Sequence, residues 1–132
     1  MRPQSNGLTT AEWYLMESLW EHSPKTGREI IDDMKQRQNW NRSTTLTMLR
    51  RMTEKEQIEC REEDGIRVYV PLIPREEALQ EETDSFLRRA YQGSVSLLFS
   101  ALTRHQDLSK EEIEELHQIL RQAEEKGGEH HD

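Results

Sequence analysis

Between Trp40 and Gln57 the chain reads WNRSTTLTMLRRMTEKEQ. The early part of this run carries one guanidinium and several hydroxyls: Arg42, Ser43, Thr44 and Thr47. Its later part carries Arg50, Arg51 and Lys55. Hydroxyls both donate and accept hydrogen bonds, a threonine methyl packs on a thymine methyl, and arginine forks onto guanine. Placed on the N-terminal half of a helix, such groups suit the base edges of a DNA major groove. The later cations suit phosphates, which position a helix without selecting sequence. The plainer reading of those cations is a solvated basic face.

The charge distribution decides whether this chemistry is admissible. Over 132 residues the net charge is −8, which by itself disfavours nucleic acid. Residues 1–74 carry 11 basic and 12 acidic side chains, whereas residues 75–132 carry 7 and 14. Within residues 35–61 the net charge is +4. Binding to a polyanion depends on the local patch, and this patch is positive.

A helix can present such groups only if its other face is anchored. Leu46, Leu49 and Met52 recur every three residues, with Thr45 and Met48 alongside, and supply the expected packing face. Either Asn41 or Ser43 suits the N-cap of this helix. Two earlier helices are expected to receive it. Thr9 and Glu12 have capping-box spacing, followed by Trp13, Leu15, Met16, Leu19 and Trp20, until Ser23-Pro24 ends the helix. Thr26 and Glu29 repeat the spacing before Ile30, Ile31 and Met34, and a polar loop is expected at Gln36–Asn39. Thr9 and Thr26 also mark helix N-termini that suit phosphates, although a purely structural capping role is as good a reading. Trp13, Trp20 and Trp40 are expected in the core.

After the third helix, two β-prone runs flank Asp64-Gly65, a strong hairpin signal. The hairpin tip is Glu62-Glu63-Asp64, which a phosphate backbone repels. Only Arg61 and Arg67, at its base, suit DNA. Three helices and a hairpin form a winged helix-turn-helix domain, expected over residues 1–74. Pro71 and Pro74 mark its boundary.

Residues 75–132 are acidic and helix-prone. Leu79, Phe86, Leu87, Tyr91, Val95, Leu98 and Leu102 form apolar stripes, and Ser109 and Glu112 cap a last helix carrying Ile113, Leu116 and Leu120. Gly127-Gly128 is expected to end that helix, with Glu129–Asp132 as a frayed tail. So few residues do not enclose a core of their own, so these stripes are expected to pair with a second copy. The alternative is that the segment folds back on the first domain. The fold expected is therefore mainly α, with a small β-hairpin wing and a C-terminal helical dimerisation segment.

No catalytic constellation is present: no nucleophile elbow, phosphate loop, zinc-protease helix or dinucleotide fingerprint. No enzyme activity and no cofactor are expected. The five histidines show no metal-ligand spacing with cysteines, so no metal is expected. A metal-responsive tail around His130 and His131 is the weaker alternative. Cys60 is the single cysteine. A lone cysteine, no leader-like apolar run and no membrane-length apolar stretch point to a soluble cytoplasmic protein with no membrane insertion.

The runs LTTAEWYLMESLWE, TGREIIDDM, WNRSTTLTMLRRM and RVYVP, followed by GSVSLLFSALTRHQDLSKEEIEELHQIL, resemble the penicillinase repressor family over about Leu8 to Leu120. The resemblance implies a homodimeric transcriptional repressor on a palindromic operator of double-stranded DNA, governing an antibiotic-resistance or stress operon. It places the recognition positions at Arg42, Ser43, Thr44 and Thr47. It further implies control through a membrane sensor protease, with cleavage in the dimerisation segment. The corresponding bond is Ala101-Leu102, where the family's Asn-Phe pair is missing. The copper-responsive branch ends in paired CxC motifs, which this chain lacks. A different class of function, a winged helix that binds protein without reading DNA, is suggested by the acidic wing.

Overall fold

The computed structural model describes residues 7–105 and 107–129. Helix α1 spans Thr10–Glu21. Its start is a complete capping box, in which the Glu12 N–H donates to Thr9 Oγ1 at 3.1 Å and the Thr9 N–H donates to Glu12 Oε1 at 2.9 Å. Strand β1 is the pair Lys25–Thr26, and helix α2 spans Gly27–Gln38. Thr26 and Glu29 repeat the box at 3.1 and 2.8 Å. The loop expected at Gln36–Asn39 is mostly helix. The turn comes only at Asn39, whose φ of 56° is the left-handed conformation that asparagine tolerates at a helix end.

Helix α3 spans Arg42–Glu54. Of the two caps the sequence permits, Asn41 is the one used: its Oδ1 accepts from the Thr44 N–H at 2.8 Å. Strands β2 (Ile58–Glu63) and β3 (Ile66–Pro71) form the hairpin. Asp64 and Gly65 connect them with φ values of 52° and 78°, as a two-residue primed turn demands. Strand β1 adds antiparallel to β3, with Lys25 opposite Tyr69 and Thr26 opposite Val68, so the sheet order is β1-β3-β2. Two residues are too short to show a strand pattern, and the sequence signals only the hairpin.

Leu15, Met16 and Leu19 of α1, Ile30 and Met34 of α2, and Leu49 and Met52 of α3 meet in one core with Ile58, Ile73 and Ala78. Each large apolar side chain fully buried there contributes about 1.5–3 kcal/mol of transfer free energy. The tryptophans pack partly buried against it. Trp13 and Trp20 meet edge to face at 5.4 Å, and the Trp20 indole N–H donates to the Ile73 carbonyl at 2.9 Å.

One expected core residue lies elsewhere. Leu46 is 42% exposed. At about 100° per residue, a spacing of three drifts backwards by about 60° each step, so Leu46 sits about 120° from Met52. Thr45 occupies the core place instead and is fully buried.

The chain divides into two compact units, one ending at Phe86 and the other starting at Leu87. The first extends past Pro74 because Ala78, in helix α4 (Arg75–Tyr91), is buried in its core. In the second, helix α5 spans Val95–His105 and helix α6 spans Lys110–Glu129. Ser109 and Glu112 form a third reciprocal cap, at 3.1 and 3.0 Å. Contrary to the expected stop at Gly127-Gly128, α6 runs through both glycines. Glycine costs a helix about 1 kcal/mol, yet keeps its N–H and continues the hydrogen-bond ladder.

Candidate nucleic-acid interface

Helix α3 presents its outer face from both ends of the expected set. Arg42, Ser43, Thr44, Arg50 and Arg51 are exposed, and Thr47 is half-buried. By helical geometry Ser43, Thr47 and Arg50 fall within about 60° of one another, opposite Leu49 and Met52. Arg51 and Thr44 flank them on one side. The exposed Leu46 flanks them on the other. Periodicity alone gives no warning of that position: a leucine three residues before another reads as core. The helical-wheel angle to Thr45, Leu49 and Met52 is the signal that separates it.

Lys55 differs from the two arginines. It caps the C-terminus of α3, and its ammonium lies 2.6 Å from the Glu12 carboxylate. The hydroxyls of Thr9 and Thr26 are likewise engaged in their own capping boxes. These three side chains therefore have partners within the domain, whereas the exposed Arg42, Arg50 and Arg51 make no side-chain hydrogen bond or ion pair among the described residues.

The wing is negative in fact as well as in sequence. Residues Glu62 to Arg67 are all exposed. Arg61 is ion-paired with Glu59 on its own strand, and Arg67 stands opposite Glu62 across the hairpin. Both cations at the wing base thus have an acidic neighbour. Cys60 is free and exposed on β2, facing the Tyr69 position of β3. Burial pushes the Tyr69 phenol up, and the neighbouring Cys60 adds to the rise.

Two buried ionic clusters fix the scaffold behind α3. Glu12 is held below the usual carboxylate range: burial alone would raise it, but hydrogen bonds from Lys55, the Thr9 N–H and Gln57 outweigh that. Asp33 is also lowered, again against its burial, by hydrogen bonds from Ser18, Arg37 and Lys25. Lys25 Nζ donates to the Ser18 carbonyl and hydroxyl at 2.8 Å each and to Asp33 at 3.1 Å. Neither cluster is legible in the sequence, because their members lie up to 45 residues apart.

In the second unit Val95, Leu102, Ile113 and Leu120 are exposed, and Leu98 and Leu116 are half-buried. An open apolar cavity of about 550 Å³ lies between α5 and α6, lined by Phe99, Leu108, Ile113, Leu116 and Leu120 among others. On α4, Leu79 and Phe86 are exposed, while Leu87 and Tyr91 are half-buried. Ala101 and Leu102 lie inside α5. Among the described residues no group of three or more His, Cys, Asp or Glu is placed to hold a metal. His130 and His131, on which the metal-responsive alternative rests, lie outside the described residues. Among the described residues no helix is long and apolar enough to cross a membrane.

Three helices, a hairpin wing and a third strand that closes the sheet define a winged helix-turn-helix protein. The family model for the penicillinase repressor matches residues 8–122, and the chain belongs to that family. It is 32% identical over 113 residues to the penicillinase repressor of Bacillus licheniformis, covering 86% of this chain and 88% of that one. It is 26% identical over 113 residues to the methicillin resistance regulatory protein MecI of Mammaliicoccus sciuri, covering 86% and 92%. Among solved structures it is similar to the monomeric form of Bacillus licheniformis BlaI in complex with the blaP half-operator. That match has a TM-score of 0.51 at 27% identity and covers 58% of this chain and 93% of the other. The BlaI DNA-binding domain in solution matches at a TM-score of 0.50. The family is one of transcriptional repressors and not an enzyme class.

Proposed function

We propose that this protein is a homodimeric, DNA-binding transcriptional repressor that reads a palindromic operator with the outer face of α3. The observation that carries the reading is the exposed Ser43, Thr44, Arg50 and Arg51 and the half-buried Thr47 on the side of α3 away from Leu49 and Met52, with Arg42 exposed at the first turn. Arg42, Ser43, Thr44 and Thr47 contact base edges, and Leu46 adds an apolar contact suited to a thymine methyl. Arg50 and Arg51 hold phosphates. Kinship with BlaI, whose monomeric form was solved on a half-operator, supports DNA as the partner.

Dimerisation belongs to the same proposal. The exposed apolar residues of α5 and α6 support it, since contiguous apolar surface is normally covered by a partner. Two copies of α3 then meet two half-sites, and the weak wing is offset by the second half-site. The regulated genes are those of an antibiotic-resistance or stress operon; relatives named for penicillinase and methicillin resistance support the first. The setting is the cytoplasm, where Cys60 stays reduced. A membrane sensor protease is the proposed upstream partner. Its cut does not follow the family's Asn-Phe rule here, and Ala101-Leu102 lies within a helix that must open before cleavage.

A mobility-shift assay on the promoter region of its own operon tests the reading. One fragment is expected to bind more tightly than random DNA, and Arg42→Ala is expected to erode that preference. Equal affinity for all fragments at low salt would leave the winged helix as a protein-binding module.

A further inference from the structure

Glu12 is an acid with a side chain only 4% exposed. Its Oε1 accepts from the Thr9 N–H at 2.9 Å and from Gln57 Nε2 at 3.3 Å, and its Oε2 accepts from Lys55 Nζ at 2.6 Å. The other two capping-box glutamates, Glu29 and Glu112, sit exposed, and among the described residues their carboxylates hydrogen-bond only to their own helix starts. Glu12 thus does more than cap. Lys55 closes α3, and Gln57 immediately precedes β2, the first strand of the wing. The Gln57 N–H donates to the Met52 carbonyl at 2.9 Å, and its own carbonyl accepts from the Leu72 N–H at 3.0 Å, just past the returning strand. One buried carboxylate therefore ties together the start of α1, the end of α3 and the root of the wing.

We infer that Glu12 is a positioning residue for DNA reading. Through Lys55 and Gln57 it sets the tilt of α3, so Lys55 serves the orientation of the helix and does not hold a phosphate. Ser43 lies about 18 Å along the helix from Lys55, so a tilt of about 5° at the held end moves the reading end by about 1.5 Å. Base contacts tolerate only about 0.5 Å of misplacement. Hydrogen bonds from Lys55, the Thr9 N–H and Gln57 keep the carboxylate ionised in place. The inference rests on the DNA-reading role proposed for α3.

The test uses the full-length protein and a duplex that the wild type selects from a randomised pool. Glu12→Gln, Lys55→Met and Lys55→Arg are compared by fluorescence anisotropy over a salt series, at a temperature where circular dichroism shows each fully folded. Glu12→Gln and Lys55→Met are expected to bind about tenfold more weakly, the scale of one misplaced base contact. Lys55→Arg, which keeps the ion pair, is expected to restore most of that loss. The slope of log affinity against log salt is expected to be the same for Lys55→Met as for the wild type. Lys55 is half exposed, so Lys55→Met keeps the question decidable if Glu12→Gln does not fold. A slope shallower by about 0.9 would make Lys55 a phosphate contact and overturn the inference. Unchanged affinity in the folded variants would overturn it too. A wild type that selects no sequence would instead overturn the DNA-reading role itself.

Discussion

Replacing Asp33 by asparagine is expected to destabilise the first unit by about 3 kcal/mol, and the structure sets that figure. Asp33 accepts from Ser18 Oγ, from Lys25 Nζ at 3.1 Å and from Arg37 Nε at 2.9 Å. Lys25 and Asp33 are only 11% and 20% exposed, so the few tenths to 1 kcal/mol typical of surface pairs is too low. Breaking a fully buried pair costs about 3–5 kcal/mol, but the Arg37 side of this cluster is open to water, which favours the lower end. Lys25→Met is expected to cost less, about 1–2 kcal/mol, because Asp33 keeps Ser18 and Arg37 while only hydrogen bonds from the ammonium are lost. In a domain of 60–100 residues each kcal/mol lowers Tm by about 4–8 °C, so Asp33→Asn should lower it by about 12–24 °C. Urea titration followed by circular dichroism, with both variants and the wild type side by side, gives the order directly. If Lys25→Met proves as costly as Asp33→Asn, or Asp33→Asn costs under about 1 kcal/mol, the lysine is not dependent on this counter-charge and the reasoning fails.

Further outcomes follow from the same geometry. Glu62→Lys together with Glu63→Lys should strengthen DNA binding at low salt and steepen its salt dependence by up to about 0.9 per lysine that meets a phosphate, read from binding isotherms at several salt concentrations; an unchanged slope would place the wing away from the duplex. Glu12 and Asp33 have folded pKa values below their ordinary 4.5 and 3.8. Their stabilisation is therefore full above that range and is lost as pH falls through the folded values, so acid unfolding of Glu12→Gln should be less steep than that of the wild type below about pH 4.5. Leu102→Asp with Ile113→Asp, on the exposed faces of α5 and α6, should shift sedimentation from dimer to monomer and weaken operator binding by at least tenfold, while thermal unfolding of the first unit stays unchanged.

Much of the helical framework is legible in the residues alone. Capping boxes at Thr9, Thr26 and Ser109 locate three helix starts within a residue, because a side chain three positions away satisfies the same backbone groups wherever the helix ends up. Asp64-Gly65 locates the hairpin for the same local reason: both residues must take positive φ. The reading residues on α3 are legible because polar and basic types crowd one short helix. Leu46 is not, since a period of three imitates the helical repeat closely enough to hide a drift of about 120° over two steps. Strand β1 is not, since two residues carry no pattern and exist as a strand only because β3 offers them an edge.

The sequence by itself determined where helices begin, where the hairpin turns and which helix carries the chemistry, because each of these depends on neighbours within about four residues. Only the tertiary structure decided which cations are free for a ligand. Lys55 and Arg51 stand four residues apart on one helix and look alike in sequence. A buried carboxylate from Glu12, 43 residues earlier, pairs with one of them and not with the other. That choice depends on which distant charges the packed core brings within hydrogen-bond reach, and no local pattern encodes it.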